Sequence, residues 1–535
     1  MNMWSLTLLA GIALGLLLAS RQLMHWFQLE SYQFPGYFRT LRRNWIKALI
    51  PGLIMSVLLT VAFCAFSMVG SDDQQWLRYI LVAVVMIAGG FGIHCFLKTR
   101  KMKKPLVYTP RIRRLCVVLF LTFFGLLAAA VVIAGHQEDK SWLMILLVVP
   151  LLLPLWVALG GLLAWPVEKG ISELYFRDAR KKLLARTDLI RIGITGSWGK
   201  TSVKFILGTL LQEKYNTLVT PASYNTPMGV TKVIRTMLEP GHRVFVAEMG
   251  ARHVGDIKEM CRLVHPTYGI LTSVGPQHLD TFRTIDRIKK TKYELMDAVP
   301  EDGACFFGDD QGICRELYVN TGKEKYLAGT ETGLDDVWAE NITVTPEGSV
   351  FDLCTKQERF TCHTLLLGEL NIRNITLAAS VCLKLGMTMK QISRGVARLQ
   401  PVEHRLQMIP RPDGITVIDD AFNSNIRGAK TALKVLKDFP GRRIVITPGM
   451  VELGNEEQKL NREIGETMAE CVDIAILVGG KHTAPIADGL KSRGFDEKNI
   501  LVVRALSEAT QWINAYAKAG DVILFENDLP DNYSE

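Results

Sequence analysis

Long apolar stretches fill the first third of the 535-residue chain and end near residue 165. Each is close to the roughly 20 residues that a helix needs to cross the hydrocarbon of a bilayer. They cover residues 4–20, 46–70, 76–97, 115–135 and 142–165. We therefore predict an α-helical membrane domain over residues 1–165 with about five transmembrane helices. Because Arg21 and Gln22 follow the first stretch in place of a small-residue cleavage site, we interpret it as an uncleaved anchor, not a signal peptide.

The loops between these stretches differ strongly in charge. Residues 98–114 hold eight basic residues and no acid, and residues 21–47 hold a cluster of three arginines. Residues 71–75 and 136–141 are not rich in basic residues. Basic loops of membrane proteins stay on the cytoplasmic side. We therefore predict a multi-pass protein of the plasma membrane, with its N-terminus outside and everything after Trp165 in the cytoplasm.

Charge and cysteine content narrow the class of protein further. The formal net charge is +9, and the basic loop at residues 98–114 supplies most of the excess, so we expect no nucleic-acid partner. The ten cysteines include no C-x-x-C pair, which favours free thiols over a zinc site or a disulfide framework. Residues 166–190 mix apolar and charged positions and predict an amphipathic juxtamembrane linker, either lying on an anionic leaflet or simply solvated.

After this linker, short apolar strands alternate with helical patterns, which predicts an α/β domain with a parallel sheet. Residues 191–204 read R-I-G-I-T-G-S-W-G-K-T-S-V-K, a strand over 192–195, a tight turn and a helix over 202–215. Such a unit cradles phosphate at the helix N-terminus, where Lys200 reaches the terminal phosphates and Thr201 can hold Mg²⁺. Ile194 replaces the first glycine of the strict motif, so a chance occurrence stays the alternative.

Two further strands end at candidate metal-site residues. A strand predicted over residues 243–248 ends at Glu248, and His278 follows a strand predicted over residues 268–274. Carboxyl ends of parallel strands meet at one edge of the sheet, where ligands bind. A carboxylate at this edge suits Mg²⁺. A lone histidine is usually structural, but its position after the strand favours a ligand role for His278.

Four segments in order resemble the Mur ligase family: T-G-S-W-G-K-T-S-V-K, A-E-M-G-A-R-H-V-G-D-I, S-V-G-P-Q-H-L-D-T-F and K-T-K-Y-E-L. They are most similar to the branch that adds D-alanyl-D-alanine to the UDP-muramoyl tripeptide. The match extends over residues 191–454, about half of the chain. The resemblance implies a central P-loop parallel-sheet ATPase domain at residues 191–400 and a C-terminal Rossmann-like domain at residues 401–535.

The resemblance also implies roles for individual residues, with ATP and Mg²⁺ as cofactors. The catalytic set is Lys200, Lys292, His278 and Arg405, with Lys292 carbamylated. The ATP-binding set is Gly196, Ser197, Gly199, Lys200, Thr201, Ser202, Asn371, Arg405 and Asp420. The metal set is Thr201, Glu248 and His278. Asn225 is the match to the substrate loop.

The chain departs from the family in several places. Membrane helices replace the soluble domain that holds the UDP end of the substrate. The segment Glu526-Asn527-Asp528-Leu529 stands where the family has a basic motif that meets the carboxylate of the incoming dipeptide. His404 stands where the family usually has glycine.

These observations predict a membrane-anchored, ATP-dependent amide ligase that works through an acyl phosphate. Its partners would be a peptide carboxylate, an amine, the lipid bilayer and membrane proteins of peptidoglycan synthesis. One alternative is the same chemistry on a lipid-linked peptide or a polyglutamate-like acceptor. A less favoured alternative is a non-ligase ATP-binding membrane sensor.

Overall fold

The structure is a computed structural model that describes residues 3–66, 75–99, 105–134, 148–221, 224–345, 347–421, 425–451 and 453–528. The chain divides into two compact units, of which the first runs to Glu173 and the second begins at Leu174. The predicted domain boundaries at residues 165, 190 and 400 stay predictions.

The first unit is entirely helical in its described residues. Its helices are Met3–Ala19, Arg21–Leu29, Phe34–Arg43, Trp45–Phe66, Gln75–Thr99, Pro110–Ala134 and the beginning of Leu153–Leu184. Of the described helices, three are long and apolar enough to cross a membrane, namely Trp45–Phe66, Trp76–Lys98 and Pro110–Val132. A fourth span results if Met3–Ala19 and Arg21–Leu29, which are bent by 47°, are counted together.

The predicted fifth span at residues 142–165 begins outside the described residues, at 142–147. Its remainder belongs largely to the helix Leu153–Leu184, which continues without a break into the predicted linker. The figure of about five transmembrane helices therefore stays a prediction, as does the orientation of the helices.

Glycines bring the helices Met3–Ala19 and Gln75–Thr99 into backbone contact. A Cβ atom added to Gly11 would collide with Ala83, and one added to Gly15 would collide with the carbonyl group of Met86. The two glycines form a G-x-x-x-G pattern, which lets helices in membranes approach closely enough for van der Waals packing. This packing is that expected of helices inserted in a bilayer.

The second unit contains a nine-stranded sheet in the described residues. Its strands β1–β9 are Ile190–Thr195, Thr217–Val219, Val244–Glu248, Tyr268–Leu271, Ala304–Gly308, Lys325–Gly329, Val337–Thr345, Gly348–Thr355 and Arg359–Thr364. Their order is β2-β3-β1-β4-β5-β6-β7-β8-β9, parallel from β2 to β7 and antiparallel from β7 to β9. The accompanying helices are Lys200–Leu211, Pro227–Met237, Asp256–Val264, Leu279–Phe282, Ile285–Ala298, Ile313–Asn320, Glu369–Lys384 and Met389–Ala397.

A second sheet of six described strands follows. Its strands β10–β15 are Gln407–Pro410, Thr416–Asp420, Arg443–Thr447, Ile474–Val478, Ile500–Val503 and Val522–Glu526, in the order β10-β11-β15-β12-β13-β14. Only β10 among them is antiparallel to its neighbour. The helices are Ile426–Lys437, Glu457–Met468, Ala484–Ser492 and Leu506–Tyr516, with short 3₁₀ turns at Gly454–Glu456 and Glu497–Asn499.

Strand β1 is an interior strand of the parallel part of the first sheet and positions the candidate site. It pairs with β3 on one side and β4 on the other, and its fully buried Ile194 lies opposite Glu248 in the register. The chain therefore leaves β1, β3 and β4 at the same edge. The loop after β1, the carboxylate that ends β3 and the loop after β4 meet there.

Candidate active site

The loop from Gly196 to Gly199 joins β1 to the helix Lys200–Leu211. Gly199 has a φ of +82°, in the left-handed region that favours glycine. Gly196 packs so closely against Thr272 that an added Cβ atom would collide with the threonine hydroxyl. Both glycines are therefore required by the geometry of the loop.

The loop after β4 holds this first loop in place. The backbone N–H of Ser197 donates to the carbonyl of Ser273 at 2.8 Å, and the Ser197 hydroxyl donates to the carbonyl of Gly275 at 3.0 Å. The backbone N–H of Trp198 donates to the Ser273 hydroxyl at 2.9 Å. The loop is thus fixed by bonds from its own backbone before any ligand arrives.

Glu248 is the centre of a buried polar cluster beneath the loop. Its Oε1 accepts hydrogen bonds from the Thr201 hydroxyl and from Asn225 Nδ2, each at 3.1 Å. Its Oε2 lies 3.0 Å from Lys204 Nζ, and both side chains of this ion pair are almost completely buried. Burial opposes the charge of Glu248, but Lys204 and Lys200 together hold its pKa below the usual value. The carboxylate is therefore ionised at neutral pH.

Lys200 and Lys292 converge on one acceptor. Lys200 Nζ donates to the carbonyl oxygen of Gly196 at 2.7 Å, and Lys292 Nζ donates to the same oxygen at 2.8 Å. Burial lowers the pKa of Lys200 to about 8, against the attraction of Glu248. Burial, reinforced by the charge of Lys200, lowers the pKa of Lys292 well below its usual value. Lys292 is therefore inclined to be a neutral amine, while Lys200 keeps most of its charge at pH 7.

A small cleft lies beside this cluster. It is lined by the outer face of the helix Lys200–Leu211 and by the chain that leads into the second sheet, including Ser202, Phe205, Ile206, Asn371, Val402 and Arg405. Asn371 Nδ2 is fixed by the carbonyl oxygen of Leu367 at 2.9 Å.

Arg405 and Asp420 face each other at the start of the second sheet. Burial lowers the pKa of Arg405, and it raises the pKa of Asp420 to about 6 although Arg405 opposes that shift. The backbone N–H of Leu406 donates to Asp420 Oδ1 at 3.1 Å. The segment that carries the arginine is thereby tied to the strand that carries the aspartate.

His404 occupies a position that favours glycine, since its φ is +60°. Its Nδ1 lies 2.7 Å from Asp419 Oδ2, and this hydrogen bond is the main reason why the pKa of His404 is raised. The bond compensates for the strained backbone. His404 is thereby tied to the strand that ends in Asp420.

The structure brings most of the predicted site residues together at one edge of the first sheet, namely Gly196, Ser197, Gly199, Lys200, Thr201, Ser202, Asn225, Glu248 and Lys292. His278 follows β4 at the same edge, with a left-handed φ of +53°. Within the described residues, no group of three or more His, Cys, Asp and Glu side chains could hold a metal ion. A cation here would need oxygen atoms from a ligand in addition to Glu248 and Thr201.

Sequence reasoning missed Lys204 and the contact between Asn374 and Gly199. Lys204 lies one turn beyond Lys200 on the same helix, so a helical wheel shows that the two lysines share a face but does not show which carboxylate they meet. Asn374 is buried, and its Oδ1 lies where a Cβ atom on Gly199 would come within 2.9 Å. Its contact depends on tertiary structure, and no local signal announces it.

Comparison with known proteins decides the family. The sequence profile of the Mur ligase middle domain matches residues 194–382, and that of the Mur ligase glutamate ligase domain matches residues 404–526, together more than half of the chain. The chain belongs to the Mur ligase family. This Mur ligase is 29% identical over 353 residues to the UDP-N-acetylmuramoyl-tripeptide–D-alanyl-D-alanine ligase of Escherichia coli. The aligned region covers 64% of this chain and 78% of the Escherichia coli protein.

Solved structures agree with this assignment. The MurF ligase from Thermotoga maritima in complex with ADP has a TM-score of 0.60 and 25% identity, covering 67% of this chain and 80% of that one. MurF from Acinetobacter baumannii also has a TM-score of 0.60 and 25% identity, and the match covers 67% of this chain and 77% of that one. The Mur ligase described here is therefore an ATP-dependent carboxylate–amine ligase, and the predicted family and enzyme class are confirmed.

Proposed function

We propose that this Mur ligase is anchored in the membrane and forms an amide bond during synthesis of peptidoglycan precursors. The amine would be a dipeptide such as D-alanyl-D-alanine, and the acid would be the terminal carboxylate of a muramoyl peptide. The observation that carries the proposal is the buried cluster of Glu248, Lys204 and Thr201 directly beneath a lysine-bearing loop. The relatives with D-alanyl-D-alanine ligase names support the choice of substrates.

The cleft and the loop would bind different parts of the ATP molecule. In the proposal the adenine enters the cleft at Asn371, Asp420 accepts hydrogen bonds from the ribose, and the phosphates lie along residues 196–202. Lys200 and Arg405 then offset the negative charge of the phosphoryl group during transfer. Such preorganised charge is the main contribution that proteins make to phosphoryl transfer.

The donor set at Glu248 fits Mg²⁺. Glu248 and Thr201 present a carboxylate and a hydroxyl oxygen within 3.1 Å of each other, and hard cations prefer such oxygen ligands. We propose that these two residues and His278 hold the cation. When bound, Mg²⁺ would neutralise phosphate charge. Lys204 keeps the carboxylate ionised and oriented in the absence of the cation.

The reaction itself would proceed in two steps. A carboxylate oxygen of the acid forms a bond to the γ-phosphorus as the bond to ADP breaks, which gives an acyl phosphate. The amine nitrogen then attacks the acyl carbon, phosphate leaves, and the nitrogen gives up a proton. Asn225, fixed on Glu248, would position the acid, and closure of the second sheet over the site would exclude water.

Lys292 is the candidate for carbamylation. A neutral amine and carbon dioxide form a carbamate anion as the nitrogen releases one proton, and burial gives Lys292 the low pKa that this requires. The product is an anion, which would compensate the nearby charge of Lys200. Carbamylated Lys292 would therefore act as a carboxylate-like anion and not as a cation.

A second candidate, the same chemistry on another amine, is favoured by Glu526. This residue is buried and accepts a hydrogen bond from the Thr447 hydroxyl at 3.2 Å. Asn527 is fixed in turn on the carbonyl oxygen of Gly449. Because an acid occupies a position where the family has a base, an acceptor without a free carboxylate suits this edge better than a dipeptide.

One assay separates the two candidates. Purified full-length protein is incubated with ATP, Mg²⁺, UDP-muramoyl tripeptide and either D-alanyl-D-alanine or its amide, and both ADP release and product mass are followed. D-alanyl-D-alanine-dependent ADP release with the ligated product supports the first candidate. Preference for the amide supports the second. ADP release that needs no amine, with Lys200→Ala as the inactive control, contradicts both.

A further inference from the structure

A cluster of polar side chains lies among the apolar helices of the first unit. Arg21 begins the helix Arg21–Leu29, and its Nη1 lies 3.2 Å from Nε2 of His94 and 3.5 Å from the hydroxyl oxygen of Tyr108. Because a guanidinium can only donate, Nε2 of His94 must be the acceptor. The histidine therefore holds the arginine in one orientation.

Two hydrogen bonds fix the segment that carries Tyr108. Gln28 Nε2 donates to the carbonyl oxygen of Val107 at 2.8 Å, and the backbone N–H of Val107 donates to Gln28 Oε1 at 3.0 Å. Tyr108 is thereby held against the helix of Arg21. Lys98 lies one turn after His94 on the same helix and adds a cation to the same face.

The acids near these segments are engaged elsewhere. Glu168 forms a two-fold ion pair with Arg114, at 2.5 and 2.9 Å. Glu30 accepts a hydrogen bond from the Thr40 hydroxyl at 2.7 Å. Among the described residues, the polar partners of Arg21 are an imidazole and a phenol, both uncharged.

A positive charge with neutral partners is costly at a membrane, and cations inside membrane proteins usually face an anion or an aqueous cavity. Arg21 and His94 are half-buried and Tyr108 is exposed, so an anion can reach the arginine. The guanidinium favours phosphate because its donors match two phosphate oxygens. Since Arg21 and His94 lie on candidate membrane-crossing helices, the phosphate would come from the bilayer.

We propose that Arg21, oriented by His94 and assisted by Tyr108 and Lys98, binds the phosphate group of a membrane lipid. The inference rests on the proposed insertion of this unit in the membrane, and it does not depend on the ligase substrates. The site gives the anchor a second task, which is to hold an anionic lipid in the same molecule that carries the ligase.

The test measures lipid retention by native mass spectrometry of the full chain in a non-ionic detergent. Dioleoyl phosphatidate, dioleoyl phosphatidylcholine and inorganic phosphate are added separately. We expect one phosphatidate to stay bound, and Arg21→Gln to weaken its binding by about tenfold, the effect of losing one charge-assisted hydrogen bond. Arg113→Gln, which removes an exposed arginine near the start of the helix Pro110–Ala134, is expected to bind as the unchanged chain does.

Several results would overturn the proposal. These are equal retention by Arg21→Gln and the unchanged chain, equal losses in Arg21→Gln and Arg113→Gln, or displacement of phosphatidate by inorganic phosphate at equal concentration. Arg21→Lys, which keeps the charge, checks for misfolding and should retain more lipid than Arg21→Gln. Failure of the ligase assay with lipid binding intact would refute the proposed function alone.

Discussion

The two sides of the candidate active site differ in how far the protein has built them in advance. On the first sheet, Glu248 and Lys204 are about 1% and 0% exposed and balance each other's charge. On the second sheet, the corresponding contact joins His404, whose side chain is 48% exposed, to Asp419. The comparison indicates a rigid side, where we propose that the phosphates bind, and an adjustable side, which we propose holds the rest of the nucleotide.

The largest expected effect tests the rigid side. Glu248→Gln should lower turnover by about 10³-fold, since the proposed carboxylate ligand of Mg²⁺ is lost. It should also destabilise the fold by about 3–5 kcal/mol, because Lys204 is left buried without its partner. ADP release and urea unfolding measure the two effects.

A double variant separates stability from catalysis. Glu248→Gln combined with Lys204→Met removes both charges, so the free energy of unfolding should recover while turnover stays low. If turnover recovered with stability, Glu248 would be a structural residue only, and the contrast between the two sides would disappear.

The next effect concerns Lys292. Lys292→Ala should lower turnover by about 10–100-fold, as loss of an orienting group near a metal site does. Added formate or acetate should restore part of the ADP release if a carbamate anion is the missing group. Lys290→Ala, an exposed lysine on the same helix, is the control and should change little. Absence of rescue at any acid concentration argues against carbamylation.

The pH dependence of kcat/KM for ATP should reflect one ionisable group from each side of the site, Asp420 and Lys200. Asp420 has a raised pKa of about 6, so below that pH it is protonated and its proposed grip on the ribose weakens. Lys200 has a lowered pKa of about 8, so above that pH it loses its charge. We expect a bell-shaped profile with limbs near these values. Asp420→Asn should abolish the acid limb and leave the alkaline limb, and an unchanged acid limb would assign it to another group.

The smallest expected effect lies at His404. His404→Gly loses the bond to Asp419 but relaxes the left-handed backbone, whereas His404→Ala loses the bond and keeps the strain. The alanine variant should therefore be the less stable by about 1 kcal/mol in urea unfolding. The pKa of His404 is higher in the folded protein than in the unfolded chain. The stabilisation that protonated His404 contributes is therefore complete below its pKa in the unfolded chain, and it is lost as the pH rises through its pKa in the folded protein. Equal stability of the two variants would exclude backbone strain.

The sequence predicted the rigid side better than the adjustable one. The predicted strand at residues 192–195 is observed as Ile190–Thr195, and the predicted helix at 202–215 as Lys200–Leu211. Local periodicity and glycine spacing determine these elements. The predicted strand at 268–274 stops at Leu271, because the chain turns to hold the phosphate-type loop.

Other features could not be predicted because they depend on distant contacts. The pairing of Lys204 with Glu248 requires the register of two parallel strands, and the position of His404 requires the backbone conformation of a connecting segment. The cleft beside Asn371 forms only when the helix after β1 meets the chain leading to the second sheet. Residues 142–147, where a fifth span was predicted to begin, lie outside the described residues.

The shared carbonyl oxygen of Gly196 has one more consequence. The amino groups of Lys200 and Lys292 both donate to it, so an arriving triphosphate must take Lys200 away from an existing partner. Binding is then an exchange of one hydrogen bond for another, and calorimetry should register less heat than the number of nucleotide contacts suggests. Lys200 therefore has a defined orientation within its own loop, which nucleotide binding would have to change.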